Sequence, residues 1–406
     1  MRAVELFAGA GGLAMGVSLA GFKSEAVVEW DKWACDTVRE NQRRDYPLVS
    51  SWPLHEGDVR DVDWSNVPTD IDLLAGGPPC QPFSMGGKHK AHDDKRDMFP
   101  ATVHVVRTLR PKTFIIENVK GLTRSAFSNY FEYIKLQLEF PEAPRRAQET
   151  WFDHLLRLQA EKTSGRMHLH GLTYNVTSTL VNAADYGIPQ KRERVFIVGT
   201  RSDLDIDWHF PEATHSEAAL MHAQWVTGEY WERHKIAKKD RPLPLPRLEK
   251  RIQALAANPP RTLPWRTVRD AISDLPDPRS KAAATIRDHK FQDGAKVYPG
   301  HTGSPLDLPA KTIKAGGHGV PGGENMMVLP DGSVRYFTIR ETARIQTFPD
   351  GYVFHGAWGE SMRQLGNAVP MALGKIVASS VAQALIQSEL RMLEGTVNKS
   401  KNKAAA

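Results

Sequence analysis

Cys80 stands inside Gly76-Gly-Pro-Pro-Cys-Gln-Pro-Phe-Ser84, directly after the apolar run Ile71–Ala75. Pro79 and Pro82 fix their own φ angles and restrict the residues before them, which holds a side chain still at the end of a strand. A thiolate placed there needs little further activation to act as a nucleophile. A free cysteine is equally at home as a buried apolar residue, so these nine residues do not decide between the two roles. Glu117 ends a second apolar run, Thr113–Ile116, and a carboxyl at that place can donate or accept a proton. Arg192 and Arg194, one residue apart, would share one face of a strand. Taken singly, Glu117 also reads as a salt-bridged acid and each arginine as a solvated one.

A second group of residues suits a cofactor. Gly9-Ala-Gly-Gly12 follows the strand-like Val4–Phe7, but Ala14 occupies the place of the third glycine in a dinucleotide fingerprint, and no P-loop lysine follows. Such a loop fits a cofactor whose backbone contacts are made through an amino-acid moiety. Glu29 lies 20 residues after Gly9, where a carboxylate can hold ribose hydroxyls. Asp58 could accept from an adenine amino group, with Phe7 and Trp30 flanking the base. Together they point to an adenosine-type cofactor. The histidines do not pair with cysteines at zinc spacing, and no metal is required.

The elements that must position these residues alternate. Strands are expected at Val4–Phe7, Ser24–Trp30, just before Glu56-Gly-Asp58, at Ile71–Ala75 and at Thr113–Ile116. Helices are expected at Leu13–Leu19, Lys32–Asn41 and Ala101–Leu109. This is the order of an α/β, doubly wound, mostly parallel sheet, whose ligands bind beyond the carboxyl ends of the strands. Leu172–Val181 alternates, with Tyr174, Val176, Ser178 and Leu180 on one face, and Arg194–Gly199 is a further short strand. The charged stretch 140–166 reads as an insertion. From about Ser202 prolines cluster and periodicity fades, so 201–359 is expected to form a smaller, irregular domain. Residues 1–200 and 360–406 then make the main domain.

The totals are those of an ordinary folded chain: 406 residues, 41% hydrophobic and 25% charged. No apolar run approaches the roughly 20 residues of a membrane span, and Met1–Phe7 leaves no room for a signal peptide. Two cysteines cannot build a disulfide framework, so a reducing, cytoplasmic setting is expected. The net charge of +6 and pI near 9.1 are compatible with a polyanionic partner.

Six segments, in order, resemble the motifs of the DNA (cytosine-5)-methyltransferases of bacterial and phage restriction-modification systems. They are Glu5–Gly12, Gly76–Ser84, Glu117–Val119, Gln190–Gly199, Arg340–Pro349 and Gly366–Pro370. The resemblance implies a Rossmann-like, S-adenosylmethionine-dependent methyltransferase with a target-recognition domain in the variable middle, acting on double-stranded DNA as a monomer. It implies that Phe7, Gly9, Gly11, Gly12, Glu29, Trp30, Asp58 and Asn367 contact the cofactor. It makes Cys80 the nucleophile toward carbon 6 of a flipped cytosine, Glu117 the residue engaging that base, and Arg192 and Arg194 active-site arginines. Gln81, Ser84, Lys88 and Arg96 would meet DNA from a loop that closes over it. Two other functions fit the same residues less closely: a tRNA cytosine methyltransferase, and a non-catalytic DNA-binding regulator. Intact Cys80, Glu117, Arg192 and Arg194 weigh against the regulator.

Overall fold

A computed structural model describes residues 1–79, 97–165, 171–299, 302–316 and 325–404. Cys80, Gln81, Ser84, Lys88 and Arg96 lie outside the described residues. The chain divides into two compact units, one of 1–181, 193–211 and 374–406, the other of 182–192 and 212–373. The division differs from the expected one in that 182–192 and 360–373 belong with the irregular middle of the chain and 201–211 with the first unit.

The first unit is built on a seven-stranded sheet of β1 (Arg2–Leu6), β2 (Lys23–Glu29), β3 (Leu54–Glu56), β4 (Leu73–Gly76), β5 (Thr113–Val119), β6 (Tyr174–Asn182) and β7 (Glu193–Arg201). Its order is β3-β2-β1-β4-β5-β7-β6. β1 pairs in parallel with both β2 and β4, and β4 with β5. The strand order reverses between β1 and β4, so the crevice beyond their ends is where a doubly wound sheet takes its ligand. The glycine loop follows β1 and Gly77–Pro79 follow β4, one on each side of that crevice. Gly76 allows the two strands to approach: a Cβ there would stand 2.7 Å from the Leu6 carbonyl oxygen.

β7 runs antiparallel to β5, with Val119 opposite Arg194. β5 extends past the expected Ile116 to Val119, so Glu117 and Asn118 are strand residues with fixed side-chain directions. β6 departs from its expected alternation near its end. Leu180 is 43% exposed and the neighbouring Val181 is 5% exposed, as an edge strand permits. The helices α1 (Gly12–Leu19), α2 (Lys32–Arg43), α3 (Phe99–Leu109), α4 (Ser128–Glu139) and α5 (Trp151–Thr163) complete this part of the chain. One sheet face supplies Val4, Leu6, Leu74, Phe114 and Ile116 to a core shared with Val106, Ile134 and Leu158.

The expected insertion is therefore ordered, and α5 carries it. A capping box starts the helix, with the Thr150 side chain and Asp153 each bonding the other's backbone N–H. His154 pins it to α4. Its Nε2 lies 2.8 Å from the Ala143 carbonyl oxygen, which can only accept, so Nδ1 accepts from the Tyr133 hydroxyl at 2.9 Å. Burial holds the imidazole below its ordinary pKa, consistent with a neutral ring in both bonds.

The closing helix, Met371–Ala404, corrects the expectation that no apolar run is long enough for a membrane. The stretch 358–394 is long and apolar enough, and 56% of its most apolar window is buried within the protein, as in a core helix. In the second unit a three-stranded sheet (Ser304–Pro305, Met326–Val328, Val334–Tyr336) and a cluster around Leu220, Tyr230, Trp231 and Trp265 supply the order.

Glu5 sits on the central strand β1, buried, between Val27 and Ala75, and its Oε1 has no partner among the described residues. Burial pushes its carboxyl up to about 8, so the folded protein holds it protonated at neutral pH. A raised folded-state pKa means stability present in full below the unfolded value of about 4.5 and lost as pH rises through about 8. Glu5→Gln should therefore match wild type near pH 4.5 and become the more stable protein by up to roughly 1 kcal/mol for each pH unit from there to about 8, with no further gain above that. Urea unfolding at several pH values checks this; parallel curves would mean that Glu5 is not buried protonated.

Candidate active site

The cofactor side of the crevice is assembled on the ends of β1 and β2. Glu29, the last residue of β2, is buried, and its carboxylate accepts from three backbone N–H groups: Gly9 at 2.6 Å, Trp30 at 2.9 Å and Asp31 at 2.7 Å. Burial raises its pKa, and the three hydrogen bonds oppose that shift. One side chain thus fastens the glycine loop to the end of β2. Gly9 and Gly11 lie at φ +56° and +88°, which L side chains rarely adopt, and Gly11 caps α1 without a side-chain hydrogen bond. The first N–H groups of α1 therefore face the crevice without a side-chain cap.

Phe7, a non-glycine residue at φ +54°, carries the backbone strain of this loop. Strain of that kind persists where the surroundings over-determine it, commonly at ligand sites. Phe7 is half-buried against the core, whereas Trp30 is 71% exposed. A large indole left in water beside a buried carboxylate fits a planar base, and Glu29 Oε2, which accepts from the Gly9 N–H, keeps lone-pair capacity for a hydroxyl donor, whereas Oε1 is filled by Trp30 and Asp31.

Asp58 follows β3, and its carboxylate is already engaged. Its carboxylate makes a two-pronged pair with Arg60, 2.9 Å to Nε and 2.5 Å to Nη2, and also caps the Arg60 N–H at 2.9 Å. The Arg60 side chain holds its pKa below the usual carboxylate range. An adenine amino group would have to share or displace that guanidinium. Asn367 ends the helix Trp358–Asn367 in the second unit and is exposed.

The catalytic side is assembled on β4, β5 and β7. Arg194 Nε lies 2.9 Å from Glu117 Oε1, with both side chains about nine-tenths buried. Burial depresses the Arg194 pKa while the Glu117 charge opposes that shift. Glu117 also faces the turn after β4: a Cβ on Gly77 would stand 3.2 Å from its Oε2. The adjacent Asn118 donates from Nδ2 to the Pro78 carbonyl at 3.0 Å. An acid, its cationic partner and a fixed Gly-Pro-Pro backbone thus meet two to three residues before position 80. Asn118 was not singled out from the sequence, although it belongs to the Glu117 motif.

Arg192 departs from the expected pairing with Arg194. β7 begins at Glu193, so Arg192 precedes the strand, and its buried guanidinium donates to the carbonyls of Ile313 at 3.0 Å and Gly366 at 2.8 Å. Gly366 itself admits no side chain, since a Cβ would overlap the backbone of Lys314 and Ala315. Beside it, Gln190 donates to Gln346 Oε1 at 2.9 Å and accepts from the Ile313 N–H at 3.0 Å. Gln346 donates in turn to the carbonyls of Leu365 and Ala368. Three separate motifs are joined by backbone-directed side chains, a role that no residue type announces in sequence.

Arg192→Met should therefore act on stability. It leaves two buried carbonyls without donors at about 1–3 kcal/mol each, which a lowered thermal midpoint would report. A variant that melts like wild type and loses only turnover would return Arg192 to the chemistry.

Comparison with known proteins agrees with this geometry. A family model described as C-5 cytosine-specific DNA methylase matches residues 1–141 and 163–383. The Type II methyltransferase M.Eco47II of Escherichia coli is 31% identical over 94% of this chain and 79% of its own length. M.AquIA of Picosynechococcus is 32% identical over 70% of this chain and 93% of its own. Among solved structures, a DNA modification methyltransferase encoded within an E. coli prophage superposes with a TM-score of 0.58 at 21% identity, covering 95% of this chain and 99% of that one. The S. pombe Dnmt2 methyltransferase superposes at 0.52 and 16% identity, covering 95% and 99%. A likeness at that identity speaks to the fold, and the family match to descent: the chain belongs to the C-5 cytosine-specific DNA methylases.

Proposed function

We propose that this protein transfers a methyl group from S-adenosylmethionine to carbon 5 of a flipped-out cytosine in double-stranded DNA, as the modification enzyme of a restriction-modification system. The observation that carries the reading is the buried Glu117–Arg194 pair set against the Gly77-Pro78 backbone that leads into Cys80. Relatives that are named Type II methyltransferases and share most of this chain support the biological setting. S-adenosylmethionine supplies a sulfonium-bound methyl. Phe7, Glu29 and Trp30 would hold its adenosine portion, and the turn Gly9–Gly12 its amino-acid portion.

Carbon 5 of cytosine is a poor nucleophile until the ring's conjugation is broken. In the proposed reaction the Cys80 thiolate bonds to carbon 6, and the displaced electron pair makes carbon 5 enamine-like. Glu117 would meet the ring nitrogen 3 edge and limit charge build-up there, in a cleft where Arg194 fixes its orientation. Carbon 5 then bonds to the methyl carbon as the sulfonium bond breaks. A base removes the proton at carbon 5, and the electron pair returns to expel Cys80. Extrusion of the base costs a few kcal/mol, which the 80–96 segment and its cations would help offset through contacts with phosphates. The second unit, with its irregular middle, would read the target sequence.

Cys80→Ala should abolish transfer of labelled methyl to duplex DNA while a mobility shift on the same DNA survives. Glu117→Gln should reduce transfer about 10²–10⁴-fold. Bisulfite sequencing of DNA from cells expressing the protein should show one protected sequence. Label entering tRNA and not DNA would overturn the substrate, and strong turnover by Cys80→Ala would overturn the nucleophile.

A further inference from the structure

The family match stops at 141 and resumes at 163, and the intervening residues do more than extend a loop. Docked by His154 on α4, they wall a cavity of about 220 Å³ that α3 and α4 complete. The cavity lies within the first unit, on elements separate from the glycine loop and from the Glu117 site. Its walls are aromatic, with Tyr130 and Trp151 packed edge-on at a centroid distance of 5.5 Å. Arg107 and Arg145 lie on its lining; Arg145 is exposed, and Arg107 is steadied by His104 Nδ1 at 3.0 Å. Asp97 is also present, already engaged with the Phe99 N–H at 3.1 Å and the Tyr130 hydroxyl. Among the polar lining groups, Gln137 is more than nine-tenths buried, and its Nε2 has no partner among the described residues.

A buried amide donor without an acceptor is an exception that needs a reason, and here it borders an aromatic cavity with two guanidinium groups. We propose that this cavity binds a free mononucleotide: a heteroaromatic ring against the aromatic wall that Tyr130, Tyr133 and Trp151 form together, a ring acceptor on Gln137, and the phosphate on Arg107 and Arg145. The Gln137 amide reaches such an acceptor by rotation about χ3, a broad and soft torsion. The size suits one base and its sugar. Ligand pockets for larger molecules run from roughly 300 to 1,000 Å³, so a second molecule of the methyl donor would not fit. The two cations outnumber the one engaged carboxylate, which favours an anionic ligand over a neutral nucleoside. The site is a feature of this chain's insertion, and its occupancy would bear on Asp97, the first described residue after the Cys80 segment.

Calorimetric titration of the full chain with each of the four deoxynucleoside monophosphates tests the proposal. S-adenosylhomocysteine is kept saturating so that the methyl-donor site is closed. At least one nucleotide should bind at submillimolar concentration. Gln137→Leu, which conserves volume and removes the orphan donor, should weaken it at least tenfold, as should Arg107→Ala. Neither change should lower the melting temperature appreciably or alter methyl transfer to DNA. Three results would overturn the assignment: no binding of any of the four nucleotides, undiminished binding by both variants, or inorganic phosphate competing as well as the nucleotide. Displacement by a short oligonucleotide at lower concentration than the mononucleotide would overturn it in favour of a nucleic-acid contact.

Discussion

A buried carboxylate has to be paired, and at the end of β5 the partner comes from a strand running the other way. Were β7 parallel to β5, its N-terminal end would lie at the far edge of the sheet, away from Glu117. Antiparallel pairing sets Val119 opposite Arg194 and so brings the guanidinium back to Glu117. Removing either member would leave a buried charge at about 3–5 kcal/mol, which fixes the two as a unit. Asn118, one residue on, uses the opposite face of the strand to hold Pro78. Glu117 and the Gly77-Pro78 backbone are therefore positioned by neighbouring residues of a single strand. Their separation is set by strand geometry, with no flexible loop between them.

The cofactor side rests on a comparable economy. Glu29 satisfies three backbone donors at once, and two of them, Trp30 and Asp31, begin the turn into α2. The third, Gly9, belongs to the loop after β1. The ends of two adjacent strands are thereby locked before any ligand arrives, and Phe7, two residues before Gly9, stands at positive φ. Preorganisation of this kind lowers the ordering cost of binding. The Asp58–Arg60 pair is organised otherwise, since its carboxylate is engaged by a neighbour two residues away.

Much of this was legible in the sequence, because apolar runs that end in glycines or acids mark parallel strands and the loops at their carboxyl ends. β1, β2, β4 and the helices between them fell within a few residues of expectation, and the insertion was recognised as one. What could not be read was which partner each polar side chain takes. Asp58 resembles a ligand contact, yet Arg60 is nearer in sequence and reaches it first. The spacing of Arg192 and Arg194 promises a shared face only if both lie on the strand, and β7 starts between them. Gln190 and Gln346, 156 residues apart, have no periodicity that could announce their contact. Leu180 obeyed the alternation in type and not in burial, because one side of an edge strand's end meets water.

The arginines also explain why the motif around them tolerates no simple reading as a catalytic cluster. Arg192 binds carbonyl oxygens, which carry partial charge and fixed direction, and a guanidinium with five donors in a plane suits two of them at once. Arg194 sets its Nε 2.9 Å from a carboxylate oxygen and adds charge neutralisation there, while its Nη1 donates to the Glu193 carbonyl. Lysine could partly serve the second role and could not span the first. Two identical residue types, separated by one glutamate, thus answer two different constraints: backbone satisfaction at Gly366, where no side chain fits, and charge pairing at Glu117, where an unpaired carboxylate would be costly to bury.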